Sequence, residues 1–251
     1  MGTSCKIIGS CGDAAVLNIE SLYMPNYSEK PVIIFDMDGT LLDLAYDDFI
    51  WNHLLPIRYA ETHHCSLEHS RHTLSEFYQE HNHTLNWYSS RFWTAKVGVD
   101  VLAMQIEHKA RVALREGCLE LLAYLKNNGY PIWLATNADE AGLAFKLEKT
   151  GIGKYFDVMV SSETLGHAKE FQPFWEKLQA THPFNASFCY FIDDTEKVLH
   201  GAKNFGIENL YSIAQPSSAN APRSSCNYPM LDALTDLIPI LESAEEQKKY
   251  A

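Results

Sequence analysis

Five short runs rich in β-branched and aromatic residues, at 32–36, 131–136, 157–161, 188–193 and 209–213, recur along the chain with helical patterns between them. Most lack the in/out alternation of a half-exposed strand, so both of their faces are to be buried. Helical spacing appears at 118–127, 139–150, 169–181 and 196–204, and glycines 129, 151 and 206 close three of these segments. Strand, helix and closing glycine in repetition mark βα units. The pattern predicts an α/β fold built on a Rossmann-like, doubly wound parallel sheet, which binds ligands at the carboxyl ends of its strands.

Residues 45–112 break that rhythm. They carry seven of the eleven histidines ahead of His108, offer no convincing strand, and space their apolar residues near a helical period. A structureless loop of that length is uncommon in a compact domain, so the expectation is an α-helical cap inserted after the first strand. The division that follows is an amino-terminal extension at 1–29, a core at 30–44 and 113–246, and a cap at 45–112. Residues 214–228 read as an irregular surface segment, and an amphipathic helix is expected from about 231 to 246.

A chain of 251 residues with 46% hydrophobic content can bury a sizeable core. Its net charge of -12 argues against nucleic-acid or membrane-surface partners, which reward a basic stripe. The six cysteines show no C-x-x-C spacing and read as reduced and structural. Neither a signal peptide nor a membrane-spanning run is evident, so a cytoplasmic location is expected.

Polar residues gather at four points: "DMDGT" with Asp36, Asp38, Gly39 and Thr40; "ATN" with Thr136 and Asn137; "HAKE" with Lys169; and "FIDDTE" with Asp193 and Asp194. In an open parallel sheet these points converge on one crevice. Each alone has an ordinary explanation. D-x-D-G also opens calcium loops, although the twelfth position from Asp36 is Asp47, where such a loop closes with glutamate. Lys169 alone reads as a solvated helix residue, and the 193/194 pair as a helix cap. Together, in this order, the motifs resemble those of the haloacid dehalogenase-like phosphohydrolases over residues 31–213.

That resemblance implies a division of labour. Asp36 would be the nucleophile toward a phosphate monoester. A carboxylate about 3.5 Å from a phosphate dianion meets repulsion of roughly 10 kcal/mol at an effective dielectric near 20, so a cation is needed. The implied ion is Mg²⁺, held by Asp36, the backbone carbonyl of Asp38 and Asp194, with Asp193 ligating directly or through water. Lys169 would add a second positive charge, while Thr136 and Asn137 grip the phosphoryl oxygens. Asp38 would serve as acid and then base, a task that requires neighbours that raise its pKa. Gly39 frees the backbone to turn, and Thr40 is expected to hydrogen-bond within that turn. An aspartate at 38 disfavours dehalogenation, and Lys96 and Lys109 stand in no context suited to phosphonate hydrolysis.

Several longer segments are more specific: "LDLAYDDFIWNHLLP" (42–56), "HTLNWY" (83–88), "RVALREG" (111–117), "FKLEKTGI" (145–152) and "LGHAKE" (165–170). They resemble the bacterial purine 5′-nucleotidases of the same superfamily, which hydrolyse GMP and IMP, over roughly residues 31–240. The implied partner is a small phosphate monoester, a purine nucleotide in preference. Trp51, Trp87, Tyr88 and Trp93 are candidates for stacking on the base, and His83, Asn86 and Arg115 for polar contacts. The same aromatics also suit the cap's own core. The remaining histidines, His63 and His64 included, read as solvated. Two other readings stand beside this one: a sugar-phosphate phosphatase or phosphoglucomutase-like enzyme with the same four motifs, and a non-catalytic binding module on the same fold.

Overall fold

The computed structural model describes residues 30–249, so the expected extension at 1–29, with Cys5 and Cys11, lies outside the described residues. Burial on both faces organises the sheet. Ile33, Ile34 and Phe35 make up β1 (Ile33–Phe35) and are wholly shielded from solvent. Successive strand side chains point to opposite faces. Ile33 and Phe35 therefore enter one apolar layer and Ile34 the other, each contributing roughly 1.5–3 kcal/mol relative to exposure.

β2 (Ile132–Thr136), β3 (Val158–Ser161), β4 (Tyr190–Ile192), β5 (Asn209–Ile213) and β6 (Met230–Leu231) complete a six-stranded sheet. The order is β3-β2-β1-β4-β5-β6, with every pair parallel. β1 lies between β2 and β4, where the winding reverses, and a crevice opens there at the carboxyl ends. Helices Cys118–Asn127, Glu140–Thr150, Gln172–Thr181 and Glu196–Phe205 flank the sheet.

Two boundaries differ from the sequence reading. The helix expected from 169 begins at Gln172, with Pro173 in its first turn. A start at 169 would place that proline where an N–H must donate within the helix, which proline cannot do. The last helix runs Leu237–Lys249 rather than from 231, because Leu231 pairs with Ile213 in β6. A two-residue strand leaves no periodic trace to find.

Between β1 and β2 the chain forms helices Ala45–Asp48, Leu55–His63, Leu67–His81, Ser90–Val97 and Val101–Glu107, with a π-helical stretch at Phe49–Leu54. Trp93, 1% exposed, meets Trp51, Tyr78, His81, Trp87 and Phe92 edge to face at centroid distances of 5.3 to 6.0 Å. These rings form the core of the insertion. His81 is packed among them rather than solvated, and His63 hydrogen-bonds the Val97 carbonyl at 2.8 Å. Cys65, Cys118, Cys189 and Cys226 are free thiols. Among the described residues, no helix is long and apolar enough to cross a membrane.

Candidate active site

Asp36 follows β1 directly and continues its ladder, its N–H donating to the Ile192 carbonyl at 2.9 Å. Across the crevice, Lys169 reaches in from the loop ahead of Gln172. Its ammonium, 1% exposed, donates to Asp36 Oδ1 at 2.5 Å and Asp193 Oδ2 at 2.6 Å. That loop is fastened from three sides. Asn137 Oδ1 accepts the Lys169 N–H at 2.9 Å, Trp175 Nε1 donates to the Lys169 carbonyl at 2.8 Å, and Gly201 lets helix Glu196–Phe205 approach closely. A Cβ at Gly201 would stand 2.7 Å from the Glu170 carbonyl oxygen. Gly39 is equally constrained: its φ is +86°, and a Cβ there would meet the Asp194 carboxylate at 2.7 Å.

Two residues of these motifs make or lack bonds that the motifs alone do not suggest. The Asn137 amide also donates to Glu170 Oε2 at 3.0 Å, so it braces the lysine loop from both of its ends while lining the cavity. The Thr40 hydroxyl is buried without a hydrogen-bond partner among the described residues, not bonded within its turn. Thr136 Oγ1 accepts the Ala138 N–H at 3.1 Å, which leaves its own proton to donate.

The electrostatics are those of too many buried anions for the cations at hand. Burial pushes Asp36 up to about 7, Asp193 to about 6 and Asp194 to about 7, despite the pull of Lys169. Lys169 also moves up: burial opposes its charge, but Asp193 and Asp36 together outweigh that. The shifts agree once the groups are counted, since one ammonium serves several carboxylates while two carboxylates serve it. Arg223 adds a cation from the rim, 3.6 Å from Asp194 Oδ2. Oxygens of Asp36, Asp193 and Asp194 lie within 4.8 Å of one another. An all-oxygen, anion-rich, buried donor set of this kind fits a hard divalent ion such as Mg²⁺.

Asp38 is held by a residue that the sequence reading missed. Lys146, 3% exposed, donates to Asp38 Oδ1 at 2.7 Å and to both Asp47 oxygens at 3.0 and 3.1 Å. Burial pushes Asp47 up to about 7 against the pull of Lys146, and the Asp38 charge adds to the rise. The signal was present in sequence: Lys146 occupies the core-facing stripe of its helix with Gly142 and Phe145. Glu170 was missed as well. It receives Tyr88 Oη at 2.5 Å and joins the insertion to the lysine loop.

A cavity of about 350 Å³ opens above these groups. Asp36, Asp38, Thr136, Asn137, Lys169, Asp193 and Asp194 line it together with Trp51, Tyr78, Trp87, Tyr88 and Trp93. Three of the residues expected to contact a base do not line it. Arg115 is turned away, its Nη1 donating to the Gln215 carbonyl. Asn86 is exposed, and His83 sits at a left-handed turn (φ 62°) with Nδ1 3.5 Å from Glu170 Oε1. Instead, Asn52, Asp48 and Gln105 bring polar groups to the cavity.

Comparison with known proteins agrees with this architecture. A family model described as haloacid dehalogenase-like hydrolase matches residues 30–206. The chain is 34% identical over 215 residues to the GMP/IMP nucleotidase YrfG of Escherichia coli (strain K12), covering 86% of this chain and 97% of that protein. It is 28% identical over 138 residues to phosphoglycolate phosphatase 1 of Pseudomonas aeruginosa, covering 52% of this chain and 48% of the relative. The crystal structure of a HAD phosphatase from Thermococcus onnurineus superposes with a TM-score of 0.70 at 17% identity, covering 84% of this chain and 97% of the other, a likeness of fold. By sequence and by fold, the chain belongs to the haloacid dehalogenase-like hydrolases.

Proposed function

We propose that this protein is a Mg²⁺-dependent phosphohydrolase of nucleoside 5′-monophosphates, with purine nucleotides preferred. One observation carries the reading: a single cavity joins a buried carboxylate–ammonium cluster to a set of aromatic rings, matching the two unlike ends of a nucleotide. The helical insertion, residues 45–112, serves as a cap over a core formed by 30–44 and 113–246. The name of the 34% identical relative supports the same substrate class.

Asp36 attacks phosphorus in line, and the bond to the ester oxygen breaks as the bond to the carboxylate forms. Asp38 gives the leaving alkoxide its proton, then takes one from the water that cleaves the aspartyl phosphate. Lys169, held protonated by its carboxylates, offsets charge beside the nucleophile, and the Thr136 hydroxyl donates to a phosphoryl oxygen. Asp36, Asp194 and the Asp38 carbonyl would hold Mg²⁺, with Asp193 ligating directly or through water, and the ion would supply positive charge that relieves repulsion between carboxylate and phosphate. Trp51 and Trp87 offer apolar ring surface to the base.

Phosphate release from IMP, GMP, AMP, CMP, ribose 5-phosphate, glucose 6-phosphate and phosphoglycolate tests the reading. IMP and GMP are expected to show the highest kcat/KM. A hexose phosphate or phosphoglycolate ahead of them would overturn the purine preference, and no Mg²⁺-dependent release from any ester would overturn the activity.

A further inference from the structure

Four buried side-chain atoms lack a hydrogen-bond partner among the described residues, and only one of them, Gln105 Oε1, belongs to a residue lining the cavity. Gln105 is 7% exposed. It lies on helix Val101–Glu107, where the other buried residues are Val101 and Met104. That spacing makes 105 a position on the apolar stripe, where leucine or methionine would serve packing better. An unpaired buried amide oxygen is costly, and folded proteins rarely keep one. Gln105 lines the cavity wall, and a half-turn of its amide would bring Oε1 to the one place a partner can come from, a donor on the ligand.

We infer that Gln105 is a specificity-determining residue that reads the lactam edge of a 6-oxopurine. Oε1 accepts from the ring N1–H, and Nε2 donates to O6. The inference rests on the nucleotide reading above and gives it a residue, since His83, Asn86 and Arg115 do not line the cavity. Neighbouring aromatic rings would fix the plane of the base, and the amide would then discriminate along its edge.

The test compares kcat/KM for IMP, purine riboside 5′-monophosphate and ribose 5-phosphate in wild type, Gln105→Leu and Gln105→Met. Purine riboside keeps the ring surface and lacks both the N1 proton and O6. Wild type is expected to favour IMP over purine riboside 5′-monophosphate by roughly ten- to a hundredfold, and both variants to bring that ratio close to one. Their Tm should equal or exceed that of wild type, because an unpaired buried oxygen has been removed. Two variants are used so that poor packing of one does not decide the result. A folded variant that keeps the wild-type ratio, or a wild-type ratio of one, would overturn the role of Gln105. Wild type that hydrolyses ribose 5-phosphate as well as IMP would overturn the nucleotide reading itself, and this inference with it.

Discussion

Replacing Lys146 with methionine is expected to destabilise the protein in a pH-dependent way. The lysine bridges Asp38 at 2.7 Å and Asp47 at 3.0 and 3.1 Å, so its loss leaves two carboxylates facing each other. Removing one partner of a buried ion pair costs about 3–5 kcal/mol. Asp38 and Asp47 keep side-chain exposures of 19% and 16%, which moves the estimate toward the low end. Asp47, already raised to about 7, rises further without the lysine and can take up a proton, which limits the loss. A carboxyl group with a raised folded pKa contributes stability at low pH that is lost as pH climbs through that value. The deficit of Lys146→Met should therefore be about 2–3 kcal/mol at pH 8.5 and about 1 kcal/mol at pH 5.5. In a chain of this size that corresponds to a Tm lower by roughly 5–10 °C at the higher pH. Urea denaturation followed by tryptophan fluorescence measures it. A deficit near zero at pH 8.5, or one that does not change with pH, would refute the account. Because Lys146 orients Asp38, kcat should also fall by roughly tenfold with a smaller change in KM.

Gly201→Ala would press a methyl group to 2.7 Å from the Glu170 carbonyl oxygen and 2.9 Å from that of Lys169. Backbone must move, so a loss of about 1–3 kcal/mol is expected with a fall in kcat larger than the rise in KM; unchanged kcat would show that the lysine loop tolerates the shift. Mg²⁺ should raise Tm more at pH 8 than at pH 5. Protons hold the raised carboxylates of Asp36, Asp193 and Asp194 at low pH, the ion-free protein loses their contribution as pH rises through about 6 to 7, and the ion replaces it. An increment independent of pH would contradict this. Asp36→Asn should abolish turnover, whereas Asp38→Asn should slow or trap the phosphoenzyme, detectable by intact mass after a single turnover; equal residual activity in both would break the assignment.

The sheet and the carboxyl-end crevice were legible because they rest on period and position. β1, β2 and β4 are runs with both faces buried, and Asp36, Thr136 and Asp193 stand at strand ends, where topology alone brings them near. Lys169 was legible by motif, but helical spacing from 169 assigns it to a helix, whereas Pro173 confines the helix start to Gln172 and leaves Lys169 in a loop. The polar lining of the cavity above the carboxylates was not legible. Which face of the insertion meets the core depends on long-range packing, and Asn86 and Arg115 look as suitable in sequence as Asn52 and Gln105 do in space.

Departures from local rules nevertheless cluster. A lysine stands on an apolar stripe at 146, a glutamine on another at 105, a π-helical stretch interrupts the first inserted helices at Phe49–Leu54, and a glycine sits inside a helix at 201. Each weakens folding by itself: buried charge, an unpaired amide, poorer helical hydrogen bonding, lost backbone entropy. Lys146, Gln105 and the π-helical residues Trp51 and Asn52 all line one cavity, and Gly201 packs against the loop that carries Lys169. The unpartnered atoms of Thr40, His81 and Arg115 lie elsewhere, but these four departures share the surroundings of a single 350 Å³ space. The stability given up at these positions is better explained by what the cavity holds than by the fold, so substitutions that obey the local rule there should tend to stabilise the protein and impair its activity.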